Sequence, residues 1–88
     1  MPVLSMFYGI IIRMQCENGG KHHLPHIHAT YNKQEIVMSL TGEILEGSFP
    51  NKQKKLLEAW VVLHEEELNA NWKILSEGNG FFKIEPLR

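Results

Sequence analysis

Apolar and polar positions alternate along the first half of the chain and recur with a helical period along the second. Met6 to Met14 carries FYGIIIR at its centre, apolar on both alternating faces and rich in β-branched residues, as in a central strand covered on both sides. Glu17-Asn18-Gly19-Gly20 breaks that run. His26 to Tyr31 then alternates, with His26, His28 and Thr30 on one side and Ile27, Ala29 and Tyr31 on the other. Asn32-Lys33 suits a tight turn because Asn tolerates positive φ, and Gln34 to Leu40 returns as the next strand. Thr41-Gly42 marks another turn, leading into a short strand through Glu43 to Glu46.

Past Phe49 the period lengthens. Pro50 fits a first helical turn with Ser48 or Phe49 at the cap, and Gly78 and Gly80 mark the end of one long helix of roughly 27 residues. At about 100° per residue, Leu56, Leu57, Trp60, Val61, Leu63, Leu68, Ile74 and Leu75 share one broad arc, with Glu58, Glu65 and Asn69 opposite. The far end, from about Asn69 to Leu75, should overhang a small sheet and leave Trp72 as an interface anchor for a homodimer or a partner protein. Phe81 to Ile84 reads as a last strand or an extended tail stopped by Pro86. The expected fold is α+β: a three- to four-stranded antiparallel β-meander packed against one long C-terminal α-helix, with a short C-terminal extended segment.

Composition narrows the class. At 88 residues, 43% hydrophobic and 22% charged, the chain suits a single domain over residues 1–88 with one core. No segment approaches the ~18 apolar residues of a membrane span, and MPVLSMFYGIIIRM lacks the pattern of a secretory signal, so the expected compartment is the cytoplasm. The single Cys16 has no internal disulfide partner and reads as a small apolar residue in or beside a strand. A formal charge of -1 argues against a large phosphate-tracking surface, although Arg13, Lys21 and Lys33 in the N-terminal half and the Lys52, Lys54 and Lys55 cluster at the helix start leave room for a small basic patch. Gly19-Gly20 lacks the spacing of a phosphate loop and no serine sits in a nucleophile elbow, so no cofactor is expected.

The helical projection places His64 near the middle of the apolar arc, with Glu67 and Asn71 following at i+3 and i+7. Buried polar groups of this kind cost roughly 1–3 kcal/mol each without partners. The comparable polar row among the strands is His26, His28 and Thr30, within KHHLPHIHATY, whose His22 and His23 read as solvated loop residues. Three chemistries follow if the two rows meet. His26, His28, His64 and Glu67 could hold a metal, offering three nitrogens and one oxygen. The same residues could run metal-independent, ribonuclease-like acid–base chemistry, with His26 and His28 moving protons, Glu67 orienting an imidazole, and Arg13, Lys33 and Tyr31 contacting RNA. Or the polar line satisfies itself, and the chain is a non-enzymatic interaction module.

Taken in order, SMFYGIIIRM at Ser5 to Met14, LPHIHA at Leu24 to Ala29, TGEILEG at Thr41 to Gly47, LHEEEL at Leu63 to Leu68 with Asn71-Trp72, and KIEPL at Lys83 to Leu87 resemble the small prokaryotic family called domain of unknown function 4160. The resemblance covers nearly all of the chain. It carries P-H-x-H-A onto Pro25, His26, His28 and Ala29, and H-x-x-E-L onto His64, Glu67 and Leu68. Members are often encoded beside another small protein, an arrangement similar to toxin–antitoxin pairs. The resemblance thus implies a cognate partner protein, and a component that acts on or binds RNA is the function expected from the strand His-x-His site.

Overall fold

A computed structural model describes residues 2–16 and 24–88. Among these, five strands form one antiparallel sheet in chain order: β1 (Val3–Phe7), β2 (Ile10–Arg13), β3 (His26–Tyr31), β4 (Gln34–Ser39) and β5 (Ile44–Gly47). Two helices follow, α1 (Asn51–Leu63) and α2 (Glu65–Ser76). The expectation of three or four strands under one long helix is corrected on both counts. The break expected at Glu17–Gly20 and the loop histidines His22 and His23 lie outside the described residues.

The additional strand comes from the run read as one strand. Tyr8 and Gly9 both adopt positive φ, 48° and 81°, which folds that run into a two-residue hairpin. Positive φ at both central positions matches the right-handed twist of the flanking strands, so such turns close hairpins tightly. Phe7 faces Ile10 across the turn. The β3–β4 turn forms where expected: Tyr31 pairs with Gln34, and Asn32 takes φ 54°.

The helix is interrupted at His64, whose φ of -114° and ψ of 25° leave helical geometry. The i to i−4 ladder nevertheless runs through it, with His64 N–H donating to Trp60 C=O at 3.0 Å and Leu68 N–H to His64 C=O at 2.9 Å. The chain therefore bends without looping out. The sequence signal for a fresh helix start is Glu65-Glu66-Glu67, three acids in the first turn of α2. Negative charge is favoured there by the positive end of the helix dipole. One consequence is that Leu63, expected in the buried arc, is 68% exposed. The C-terminus of α2 follows the expected glycine stop: Gly78 at φ 75° donates its N–H to Leu75 C=O, and Asn79 N–H reaches Ile74 C=O.

One face of the sheet carries Ile10, Ile12, Ile27, Ala29, Ile36 and Met38, which join Leu57, Trp60, Val61 and Leu68 in the core. Residues 77–88 form no further strand or helix. That segment is strapped down instead: Asn71, fully buried, donates to Phe82 C=O and accepts from Phe82 N–H, both at 2.9 Å, Trp60 Nε1–H donates to Glu85 C=O at 2.8 Å, and Ile84 N–H donates to Leu4 C=O at 2.9 Å.

Candidate functional site

Alternation along β3 puts His28 and Thr30 on the sheet face opposite the one that carries Ile27 and Ala29. Antiparallel register sets His28 between Arg13 of β2 and Val37 of β4, and Thr30 between Ile11 and Glu35. Arg13 Nη1–H donates to Thr30 Oγ1 at 3.4 Å. Arg13, His28 and Thr30 thus make one polar strip. Acidic residues flank it, because Glu35 pairs with Thr30 and Glu46 with Val37 on the same face.

His26 begins β3 and is 6% exposed. Its Nδ1–H donates to Leu24 C=O at 2.6 Å, and since a carbonyl can only accept, that contact fixes the proton on Nδ1. The ring sits 5.2 Å from His28, edge-on, and 5.3 Å from Trp72 of α2. Such a ring is oriented by packing from two sides.

Trp72 is correspondingly half-buried against His26 and the core. The helix projection expects Trp72 to be exposed at an overhang, and it is half-buried instead. The last turns of α2 lie against the start of β3, where Trp72 meets His26. Cys16 follows the same end of α2, with its Sγ 3.6 Å from Trp72 C=O, and burial pushes its thiol pKa up from the ordinary value. Raising the pKa lowers the thiolate fraction, which disfavours Cys16 as a nucleophile or ligand.

His64 and Glu67 find each other. His64 Nδ1–H donates to Glu67 Oε1 at 2.6 Å, and the imidazole lies 5.3 Å from the Trp60 ring. Asn71, third in the polar line, is held by Phe82. Among the described residues no group of three or more His, Cys, Asp or Glu side chains is placed to hold a metal ion. His26, His28, His64 and Glu67 are all described, so the expected four-ligand shell is not assembled.

The expected RNA contacts divide as well. Tyr31 shares the face of Ile27 and Ala29, its ring 6.1 Å from Phe49, on the opposite side of the sheet from His28. Lys33 stands in the β3–β4 turn, beyond the end of β3, and is not a cross-strand neighbour of His28. Arg13 and His28 alone share a surface.

Sequence reading overlooked a groove of about 580 Å³ between β1 and the strap, lined by Val3, Leu4, Ser5, Met6, Glu67 and residues 83–86. Ser5 is 7% exposed, and its Oγ has no hydrogen-bond partner. The register shift between Val3 and Ser5 explains its burial: an extra residue in β1 lets neighbouring Leu4 and Ser5 both turn inward. No run of residue types announces such a bulge.

A search of curated proteins and a search of solved structures each found no significant match. Among the described residues no helix is long and apolar enough to cross a membrane. The family model for Domain of unknown function (DUF4160) matches residues 9–73, a stretch running from the turn of the first hairpin to the last turn of α2, and the chain belongs to that family.

Proposed function

We propose that this protein is a non-enzymatic interaction component of a two-protein, toxin–antitoxin-like system. The observation that carries the reading is that the candidate catalytic residues are not gathered at one point: His64 pairs with Glu67, His26 lies against Leu24, Trp72 and His28, and among the described residues no three His, Cys, Asp or Glu side chains are grouped as a metal would need. Acid–base groups have to converge on one reacting atom, and these instead stand apart, His64 with Glu67 at the helix bend and His26 at the start of β3. The partner expected from the family resemblance is a small cognate protein encoded nearby. Calorimetric titration of that protein into this one tests the reading, with a saturable 1:1 or 2:2 complex expected. His64→Leu and His28→Ala should each leave its affinity within about threefold, since neither group is assigned to docking. Absence of a complex, with both proteins folded, would refute it.

One observation favours a second reading. Arg13, His28 and Thr30 form a contiguous polar strip on the sheet face opposite Ile27 and Ala29, which suits contact with a single-stranded RNA. The flanking Glu35 and Glu46 oppose phosphate binding, and this is why the reading ranks second. Fluorescence anisotropy with labelled single-stranded RNA decides it: binding lost in Arg13→Ala supports RNA contact, and no binding at low salt removes it.

A further inference from the structure

We propose that the groove between β1 and the strap takes an extended segment of a partner protein, which pairs with the main chain of Met6 and presents a basic side chain to Glu67. The inference rests on the interaction reading above and names its site.

The geometry starts at the first hairpin. In a two-residue turn the flanking residues, here Phe7 and Ile10, exchange both main-chain hydrogen bonds. Successive residues of a strand direct those groups to opposite sides, so Phe7 and Ser5 address β2 while Met6 and Leu4 address the open edge. The outward turn of Leu4 is visible in its carbonyl, which accepts from Ile84 N–H. Met6, one step further and 63% exposed at its side chain, offers an N–H and a C=O to whatever lies beside it. A strand edge of this kind is a template for an added strand.

Two features make the groove a receiver and not merely an uncovered edge. Ser5 Oγ is buried beside the groove without a hydrogen-bond partner, and a buried hydroxyl in that state gains from any donor or acceptor brought to it. Glu67 projects a side chain 45% exposed into the wall while its Oε1 accepts from His64, which leaves its other oxygen for an incoming cation. Glu85, the second acid lining the groove, is already paired with Arg88 at 2.8 Å.

A second copy of the chain fits this edge poorly. Two β1 strands pairing about a two-fold axis at Met6 would set residue 4 opposite residue 8, and the Leu4 carbonyl is already taken by the strap. The ladder would stop at a single residue pair. A separate extended peptide is limited to Met6 by the same strap and turn, but it can also reach Ser5 Oγ and Glu67 along the groove.

The test uses the full chain, labelled with nitrogen-15, and short acetylated, amidated peptides of alternating Val and Thr carrying either one Arg or one Glu. The Arg peptides should shift the amides of Val3–Met6 and Lys83–Glu85 saturably, and Glu67→Gln should abolish their advantage over the Glu peptides. Methylating the peptide nitrogen that faces the Met6 carbonyl removes one hydrogen bond without altering the protein, and should weaken binding about 10-fold. Met6→Pro should do the same while the rest of the spectrum stays native, because proline is tolerated where a strand N–H faces outward. Ser5→Ala should raise the melting temperature yet weaken the peptide. Unshifted Met6 amides, or equal affinity for the N-methylated peptide, would overturn the proposal. So would a concentration-dependent dimer that shifts the same amides and is undisturbed by peptide. A neighbour protein that still binds Met6→Pro at full affinity would overturn the groove alone and leave the interaction reading standing.

Discussion

His64 and Glu67 are joined at 2.6 Å, Nδ1–H to Oε1, across the one residue where α1 gives way to α2. The pair sits where a helix N-terminus meets its first-turn acid, so its contact steadies the bend. Because the His64 side chain is 17% exposed and that of Glu67 45%, water can replace much of what a substitution removes. His64→Leu should therefore cost less than about 1 kcal/mol in urea unfolding. Asn71→Leu is the informative contrast: it strips both Phe82 main-chain partners from a fully buried amide and should cost about 2 kcal/mol, with the strap released. A larger loss for His64→Leu than for Asn71→Leu would reverse this account of the polar line.

Tyr8 holds a conformation that suits Asn or Gly better, with φ 48° and a ring 56% exposed. Tyr8→Asn should stabilise the hairpin by about 0.5–1 kcal/mol, read as a rise in melting temperature. A fall would mean that the exposed ring makes contacts worth more than the backbone strain.

Gly47 and Gly42 separate backbone strain from steric exclusion. Both have positive φ, but a Cβ on Gly47 would lie 1.9 Å from the Glu35 carbonyl oxygen, whereas one on Gly42 would meet nothing within 4 Å. Gly47→Ala should cost about 3 kcal/mol or more, because β4 and β5 must move apart, and Gly42→Ala about 1 kcal/mol. Equal losses in thermal unfolding would rule out the close β4–β5 approach.

How far the amino acids announced this architecture differs between elements. Period-two alternation and the Asn32-Lys33 turn were legible because a single face of β3 is buried and Asn tolerates positive φ. The Tyr8-Gly9 turn was hidden because its neighbours on both sides are large and apolar, so a hairpin mimicked one long strand. His64 was hidden for another reason: the helical period passes through it with its hydrogen bonds unbroken, so the three acids of the first turn of α2 do not interrupt the pattern that α1 begins. The candidate site was legible as residues and not as a place. Periodicity assigns a side chain to a face of its own element. It does not say whether the start of β3 meets α2 near Trp72 or near Glu67, and in the structure it meets Trp72.

Cys16 yields a pH-dependent expectation with a definite sign. Burial raises its thiol pKa above the ordinary 9.0, so the protonated form is the one the fold favours. Its contribution to stability is present below the unfolded thiol pKa and is lost as pH rises through the folded one. Thiol–disulfide exchange with an aromatic disulfide reagent, followed against pH, should show a midpoint alkaline of that for the urea-unfolded chain. An equal or more acidic midpoint would mean that the thiol is solvated.

We propose that His26, His28 and His64 support a docking protein and cut no RNA. Incubating the purified protein, and its His28→Ala variant, with an end-labelled single-stranded RNA tests that claim most directly. Intact RNA with both proteins, under conditions where the neighbour protein binds, is the predicted result. RNA fragments that appear with the wild type and vanish with His28→Ala would contradict it.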